Sequence, residues 1–183
     1  MRDYLISIWG IIDPLYYHCT RLKYISVEED NIFRVRLTKY KGRSIVLLDG
    51  TQINKNDRLV KIHLHNVRLC HEFKNLNSEL KKALMIYHYV KRSLPGIELY
   101  IRNHPYSGEI KGIIGITALN KGCKRLGFEV FDISHPIYKW FKQIAFLPIE
   151  MISGQHSLLH VLKHQKPSYL FMSREKLSRL YRN

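Results

Sequence analysis

The chain has 183 residues, and its 30 lysines and arginines against 15 aspartates and glutamates give a formal net charge of +15. A hydrophobic content of 45% and an aromatic content of 11% predict a globular chain with a core and exclude intrinsic disorder. Because no repeat or linker divides the sequence, we take residues 1–183 as a single domain. The charge predicts an anionic partner, but it predicts no particular fold.

The cysteines and the apolar segments indicate the compartment. Cys19, Cys70 and Cys123 are odd in number and form no CxxC or CxH spacing, which argues against a disulfide framework and a structural zinc site. The N-terminus shows no secretory signal pattern, and no stretch reaches the roughly 18 apolar residues of a spanning helix. We therefore expect a cytoplasmic protein, at most peripheral to the inner face of the membrane.

The first 20 or so residues predict an N-terminal helical segment. Apolar residues from Leu5 to Cys19 recur at helical spacing. Pro14 either kinks this helix near Gly10, or begins a second helix that Asp13 caps.

Residues 31–65 predict β-structure. Residues 32–40 and 57–65 each alternate between apolar and polar side chains, and residues 44–48 form a shorter predicted strand. Asp49-Gly50 is a strong hairpin signal because a tight primed turn needs a positive φ. The three strands predict an antiparallel meander with one buried face and one basic, solvated face.

An amphipathic helix is predicted over residues 78–92, with a stripe of core residues along one side. Asn77 or Ser78 caps this helix, and Pro95 is expected to open a further short helix through Arg102. The stripe consists of Leu80, Ala83, Leu84, Tyr87 and Leu94.

The C-terminal third predicts further strands and helices. Residues 111–119 read as a central strand, residues 121–126 as a short helix stopped by Gly127, and residues 128–133 as another strand. A helix is expected over 134–147, a strand over 169–172, and a final helix after the capping residue Ser173. We expect Leu177, Leu180 and Tyr181 of the final helix to face inward. The fold class is therefore α+β: an antiparallel-rich mixed sheet with several amphipathic helices packed on it.

Catalytic motifs are absent from the sequence, and we assign no catalytic residue, metal site or cofactor. Two groups of residues are candidates for ligand binding. On the strand 57–65 and just after it, the candidates are His63, His65, Asn66 and Arg68; exposed histidines of a sheet are the simpler interpretation. The other candidates are Arg125 and Glu129; Glu129 could instead form an internal ion pair with Arg125 or with an arginine of the sheet.

The basic side chains give the strongest functional signal. They are concentrated in residues 31–48, which contain no acid before Asp49, and in residues 160–183. The candidate basic surface comprises Arg34, Arg36, Lys39, Lys41, Arg174, Lys176, Arg179 and Arg182. The helix predicted over 134–147 is rich in aromatic residues, so it either packs on the sheet or lies among lipid headgroups.

Four segments together resemble one bacterial family: LDGT at 48–51, DRLVKIHLHN at 57–66, NKGCKRLGFEV at 120–130 and LFMSREKL at 170–177. The chain resembles the YkoP-like family from about residue 32 to residue 182. The resemblance implies work at the cell envelope, because relatives occur fused to polysaccharide deacetylase and glycosyltransferase-like domains. The positions that match the family pattern are Asp57, His63, Asn66, Arg125, Gly127 and Glu129. Lys61 and His65 stand where relatives more often carry acidic residues, which weakens a carboxylate site on this strand.

Three functional hypotheses follow. The first is a non-enzymatic accessory protein whose basic surface docks on an anionic lipid or polymer of the cell envelope, or on a partner enzyme of envelope polysaccharide metabolism. The second is a nucleic-acid-binding protein, although no RNP, KH or helix-turn-helix signature occurs. The third is a small enzyme in which His63 and Glu129 share a pocket, which requires both side chains to reach one substrate atom. The oligomeric state stays open.

Overall fold

The structure is a computed structural model that describes residues 23–24, 31–65, 68–69, 72, 78–117, 122–133 and 168–182. The N-terminal helical segment at about 1–20, the helix at 134–147 and Asn66 lie outside these residues. The described strands are β1 (Lys23–Tyr24), β2 (Phe33–Lys39), β3 (Ile45–Val46), β4 (Gln52–Ile53), β5 (Arg58–Leu64), β6 (Ile110–Thr117), β7 (Glu129–Asp132) and β8 (Ser168–Ser173). The α-helices of the described part are α1 (Glu79–Arg102) and α2 (Arg174–Tyr181).

Six of the strands form one mixed sheet in the order β1-β2-β5-β6-β8-β7, and β3 and β4 form a separate hairpin. Only the β5–β6 pair of this sheet is parallel. The predicted α+β class with an antiparallel-rich mixed sheet is confirmed. The described part holds fewer helices than the several that we expected. Neither of its two α-helices combines the length and the hydropathy of a membrane-spanning segment.

The meander predicted for residues 31–65 is wrong. β2 pairs directly with β5, from Phe33 opposite Leu64 to Lys39 opposite Arg58. The hairpin of β3 and β4 turns at Asp49-Gly50, as predicted, but the expected primed turn is wrong. The backbone N of Gly50 donates to the carbonyl oxygen of Leu47, so Leu48 and Asp49 are the central residues, and the positive φ, +84°, is that of Gly50. The hairpin is not hydrogen-bonded into the sheet. It packs over one face of the sheet, where its residues Leu47 and Ile53 are buried.

The two faces of the sheet have different coverings. On the first face, α1 and α2 pack on apolar residues such as Val60, Ile113 and Met172. On the second face, the hairpin packs on Leu59, Ile114 and Phe171. The two sets alternate along the same strands, as the period of two in a strand requires. β6 is therefore apolar on both faces, which confirms the prediction of a central covered strand.

Helix α1 differs from its prediction in length and in its buried side. It continues through Pro95 to Arg102, because Leu94 and Ile97 on both sides of the proline are buried and offset the lost backbone hydrogen bond. Leu80 and Leu84 are 79% and 55% exposed and Ala83 is exposed too, so the first part of the predicted core stripe is wrong. Its later residues are as predicted, because Leu94 is buried and Tyr87 packs against the core. The buried stripe consists of Val90, Leu94, Ile97 and Ile101.

Strand β8 lies between β6 and β7 and pairs antiparallel with both, so β6 and β7 run in the same direction. Before β7, the short 3-10 helix Cys123–Leu126 ends at Gly127, whose φ of +90° confirms the predicted left-handed stop. Ser173 caps α2, as predicted: its Oγ accepts a hydrogen bond from the backbone N of Lys176 at 2.9 Å.

We expect Gly112→Ala to destabilise the fold. A Cβ at Gly112 in β6 would overlap the backbone carbonyl oxygen of Met172 in β8, and backbone cannot move aside as a side chain can. The expected loss of unfolding free energy is about 1–3 kcal/mol in a chemical denaturation experiment. Gly108→Ala is the control, because nothing lies near its added methyl group, and it should differ from the wild type by less than about 0.5 kcal/mol.

Candidate functional site

Four basic side chains form a two-by-two array on the second face of the sheet. Arg34 lies opposite His63, and Arg36 lies opposite Lys61, on the paired strands β2 and β5. The four alternate with apolar residues of the first face, so the pleat places them together. We call Arg34, Arg36, Lys61 and His63 the basic quartet.

The basic quartet is less solvated than the sequence suggested. Arg34 is only 4% exposed, and Arg36, Lys61 and His63 are half-buried. The prediction of a solvated basic face is therefore wrong for this part of the sheet. All four side chains also take part in other interactions within the chain. Any partner on this face can therefore reach only the outer atoms of Arg36, Lys61 and His63, and Arg34 offers it almost no surface.

Glu129 lies on the same face as the basic quartet, but on β7, at the opposite edge of the sheet. One row of paired residues runs across five strands: Arg36, Lys61, Ile114, Phe171 and Glu129. Three strand spacings separate β5 from β7, which is roughly 14 Å. Ile114 and Phe171 are buried between the two positions. His63 and Glu129 therefore do not meet within hydrogen-bond reach of one substrate atom.

The Glu129 carboxylate instead holds the hairpin to the sheet. Its Oε2 accepts a hydrogen bond from the backbone N of Leu48 at 2.9 Å. Its Oε1 lies 3.3 Å from Nζ of Lys176 on α2. Glu129 is 8% exposed, so the carboxylate exchanges water for a backbone donor and an ammonium group.

A second contact joins the hairpin turn to the start of α2. Ser173 Oγ donates a hydrogen bond to Oδ2 of Asp49 while it caps α2. Oδ1 of Asp49 accepts from the backbone N of Thr51 at 3.0 Å, which closes the turn. We call Asp49, Glu129, Ser173 and Lys176 the polar cluster.

Opposing effects act on the pKa of Asp49. Partial burial raises this pKa, whereas the hydrogen bonds from Ser173 and Thr51 and the positive charge of Lys176 lower it. The pKa of Asp49 lies below its usual value as the net result. The carboxylate that accepts the Ser173 hydrogen bond is thus stabilised in its charged form.

The predicted ligand residues that the structure describes, which leave out Asn66, lie in separate parts of the fold. His63 is on β5 and His65 directly follows this strand, whereas Arg68 stacks on Tyr89, 5.6 Å from the ring centroid. Arg125 is exposed, and the ion pair of Glu129 is with Lys176, so the alternative interpretation named the wrong partner for Glu129.

The predicted basic surface is also divided. Lys39, Lys41, Arg179 and Arg182 are exposed. Arg174 donates from Nη1 to the carbonyl oxygen of Ser107 at 2.6 Å, and Lys176 faces Glu129 instead of solvent. The predicted inward position of Leu180 is wrong because this residue is exposed, whereas Leu177 is buried as predicted.

The polar cluster was missed at the level of the sequence. The Asp-Gly turn and the Ser173 cap were each recognised, but each was assigned only its local role.

Within the described ranges, no three His, Cys, Asp or Glu side chains are placed to bind a metal ion. Burial raises the pKa of the Cys123 thiol to about 11, which disfavours the reactive thiolate at neutral pH.

The three segments that meet in the polar cluster are the turn at 48–51, the strand start at 129 and the helix start at 173–176. A family model described as the YkoP domain matches residues 2–181. The chain belongs to the YkoP domain family. It is 46% identical over 181 residues to the uncharacterized protein YkoP of Bacillus subtilis (strain 168), an alignment that covers 99% of this chain and 98% of that protein. No solved structure matches the chain.

We expect Lys176→Met to destabilise the protein through Glu129. The substitution leaves a buried carboxylate without its ammonium partner, and this costs about 1–3 kcal/mol of unfolding free energy. Arg179→Met, at an exposed position of the same helix, is the matched control and should cost less than about 0.5 kcal/mol. Equal losses in the two variants would show that the ion pair contributes nothing specific.

Stability should also fall in acid through Asp49. Because the pKa of Asp49 is lower in the folded state, its contribution is present above the unfolded value near 3.9 and is lost as the pH falls through the folded value. Between about pH 5 and about pH 3, the wild type should therefore lose more stability than Asp49→Asn. Asp132→Asn, an exposed carboxylate on β7, should keep the wild-type slope in the same denaturant titrations.

Proposed function

We propose that this protein is a non-enzymatic accessory protein that binds phosphate-bearing components of the cell envelope through the basic quartet. The observation that carries the proposal is the placement of Arg34, Arg36, Lys61 and His63 on one face of two paired strands. Phosphate groups of lipid headgroups and of envelope polymers share the chemistry that this array recognises.

Charge and geometry both support an anionic ligand. Like charges directly opposite each other in a sheet destabilise it, and Arg36 and Lys61 form one such cross-strand pair. Strands β2 and β5 contain no acidic residue. An arginine guanidinium forms paired hydrogen bonds with phosphate oxygens, and a lysine adds a point charge. The neighbouring basic groups of the quartet therefore offer the donors that a phosphate group accepts from.

The enzyme hypothesis has less support. It required His63 and Glu129 to act on one substrate atom, and three strand spacings with buried residues separate them. The carboxylate of Glu129 is also already engaged by the backbone of Leu48 and by Lys176. These contacts give Glu129 a positioning role for the hairpin.

The envelope location rests on the family resemblance. Fusion of YkoP-like domains to polysaccharide deacetylase and glycosyltransferase-like domains implies that the family works where envelope polymers are made. We infer that this chain acts on the cytoplasmic side, peripheral to the membrane, near phosphate-bearing lipids and precursors. Nucleic acid also carries phosphates, and it is therefore an explicit alternative in the experiment below.

The test measures binding of the full chain to vesicles by flotation at low salt. We expect recovery with vesicles that contain phosphatidylglycerol and much less with phosphatidylcholine alone. The variant Arg36→Gln/Lys61→Gln should bind the anionic vesicles about tenfold more weakly or worse, since each basic residue near such a surface contributes about 1 kcal/mol. Binding should weaken as salt is raised, because exposed charges are screened over about 10 Å at 0.1 M.

The matched control is Lys81→Gln/Lys91→Gln, which removes two exposed cations of α1, the helix on the opposite face of the sheet. If it loses as much binding as the quartet variant, diffuse charge explains the attraction and the quartet has no specific role. A parallel arm offers a phosphate-containing envelope glycopolymer in solution, and its binding would identify a polymer as the ligand. A third arm offers duplex DNA: tight binding to DNA without binding to vesicles or polymer would overturn the proposal.

A further inference from the structure

The outer side of the β3–β4 hairpin carries two exposed apolar side chains close to its turn. Val46 is 64% exposed and Leu48 is 89% exposed. The residue between them, Leu47, is 3% exposed and packs on the sheet. One exposed leucine on a protein surface is ordinary, whereas two neighbouring apolar residues at a projecting turn indicate a contact surface.

The turn that carries Leu48 is held in place by the polar cluster. The backbone N of Leu48 donates to Glu129, and the next residue, Asp49, accepts from Ser173. Gly50 adopts the left-handed conformation that completes the turn. The Leu48 side chain therefore projects into solvent from a backbone that two hydrogen bonds and the conformation of Gly50 hold in place. A group that is fixed before binding loses less conformational entropy when it docks.

The hairpin lies on the same face of the sheet as the basic quartet. Its inner residues Leu47 and Ile53 pack on Leu59, Ile114 and Phe171, which alternate with the residues of the first face. Lys61 is the direct β-partner of Ile114 and shares this second face. One extended partner can therefore contact the outer side of the hairpin and approach the quartet from the same direction.

Basic residues flank the exposed apolar pair in the sequence. Residues 39–58 contain five lysines and arginines and two aspartates. The exposed cations of this segment are Lys39, Lys41, Arg43 and Lys55. Apolar side chains with a basic surround match a partner that is anionic at its surface and apolar just beneath it. A bilayer with anionic headgroups has this composition.

We infer that the hairpin is the membrane anchor of this protein and that Val46 and Leu48 enter the boundary between headgroups and acyl chains of an anionic bilayer. This inference rests on the proposed function and specifies a lipid bilayer as the phosphate-bearing ligand. The exposed cations of residues 39–58 lie at the headgroup level, and the quartet faces the phosphates from the same side. The polar cluster holds the turn in the inserting conformation.

The first test compares Leu48→Ser with Leu80→Ser in partitioning to phosphatidylglycerol-containing vesicles. Leu80 is also largely exposed, at 79%, but lies on α1, on the opposite face of the sheet, so its variant is the matched control. Transfer of a leucine side chain from water changes a partition constant by roughly tenfold or more. We expect Leu48→Ser to bind about tenfold more weakly and Leu80→Ser to stay within about twofold of the wild type. Both positions are exposed, so thermal unfolding should be unchanged and should verify folding.

The second test places a reporter at the turn. In Leu48→Trp, vesicles should shift the tryptophan emission to shorter wavelength, and lipids brominated on the acyl chain should quench it. Leu80→Trp is the control, and the wild-type signal of Trp9 and Trp140 is subtracted from both. Quenching at position 48 alone supports insertion of the turn.

The outcomes separate the inference from the proposed function. Vesicle binding that Leu48→Ser leaves unchanged, with an unquenched tryptophan at 48, would overturn the hairpin anchor and leave the quartet proposal standing. Binding to the soluble glycopolymer but not to vesicles would have the same effect. If the wild-type protein binds neither the anionic vesicles nor the phosphate-containing glycopolymer, both the hairpin anchor and the quartet proposal are overturned. If Leu48→Ser instead abolishes self-association measured by sedimentation, the hairpin contacts a second copy of the chain and the inference is wrong.

Discussion

The contacts of the buried Glu129 carboxylate determine where the hairpin lies on the second face of the sheet. It accepts a hydrogen bond from Leu48, which is 81 residues away, and it pairs with Lys176, which is 47 residues away. Burial of a carboxylate is costly unless donors replace its water, and here a backbone amide and an ammonium group do so. Such a pair contributes less to stability than an apolar core of the same volume would. Its consequence is positional, because it fixes the hairpin turn relative to the sheet and to α2.

The position of the hairpin then decides how the second face is used. Where the hairpin lies, the face is an ordinary apolar core built on Leu59, Ile114 and Phe171. Elsewhere on the same face, the alternation of β2 and β5 that buries Val35 and Val60 on one side necessarily gathers arginine, lysine and histidine on the other. Arg36 and Lys61 place two like charges directly opposite each other, and all four side chains of the quartet have further interactions within the chain. The proposed anion site is built on this clustering of basic groups.

Local signals in the sequence were sufficient for the parts of this fold that depend on few neighbouring residues. The alternation of β2 and β5, the Asp49-Gly50 turn, the Ser173 cap and the Gly127 stop were all predicted because each is fixed by backbone chemistry within a few positions. The pairing of β2 with β5 and the insertion of β8 between β6 and β7 were not predicted, because long-range partners have no local signature. The same limit hid the polar cluster: Glu129 could be seen as a buried acid, but its partner Lys176 looked like one more exposed lysine of α2.

The exposed apolar turn and the basic face are each too weak to hold the protein on a bilayer. A single apolar side chain enters a bilayer with a modest gain, and a few cations near an anionic surface gain about 1 kcal/mol each, a gain that salt reduces. Free energies of contacts made by one rigid body add, so their effects on the binding constant multiply. This is the logic of two-signal membrane attachment, in which one weak anchor becomes effective only beside a basic patch. In the attachment that we propose, the contacts of Glu129 with Leu48 and of Ser173 with Asp49 would supply the rigidity that this addition requires, because a turn free to move would lose part of the gain to ordering entropy.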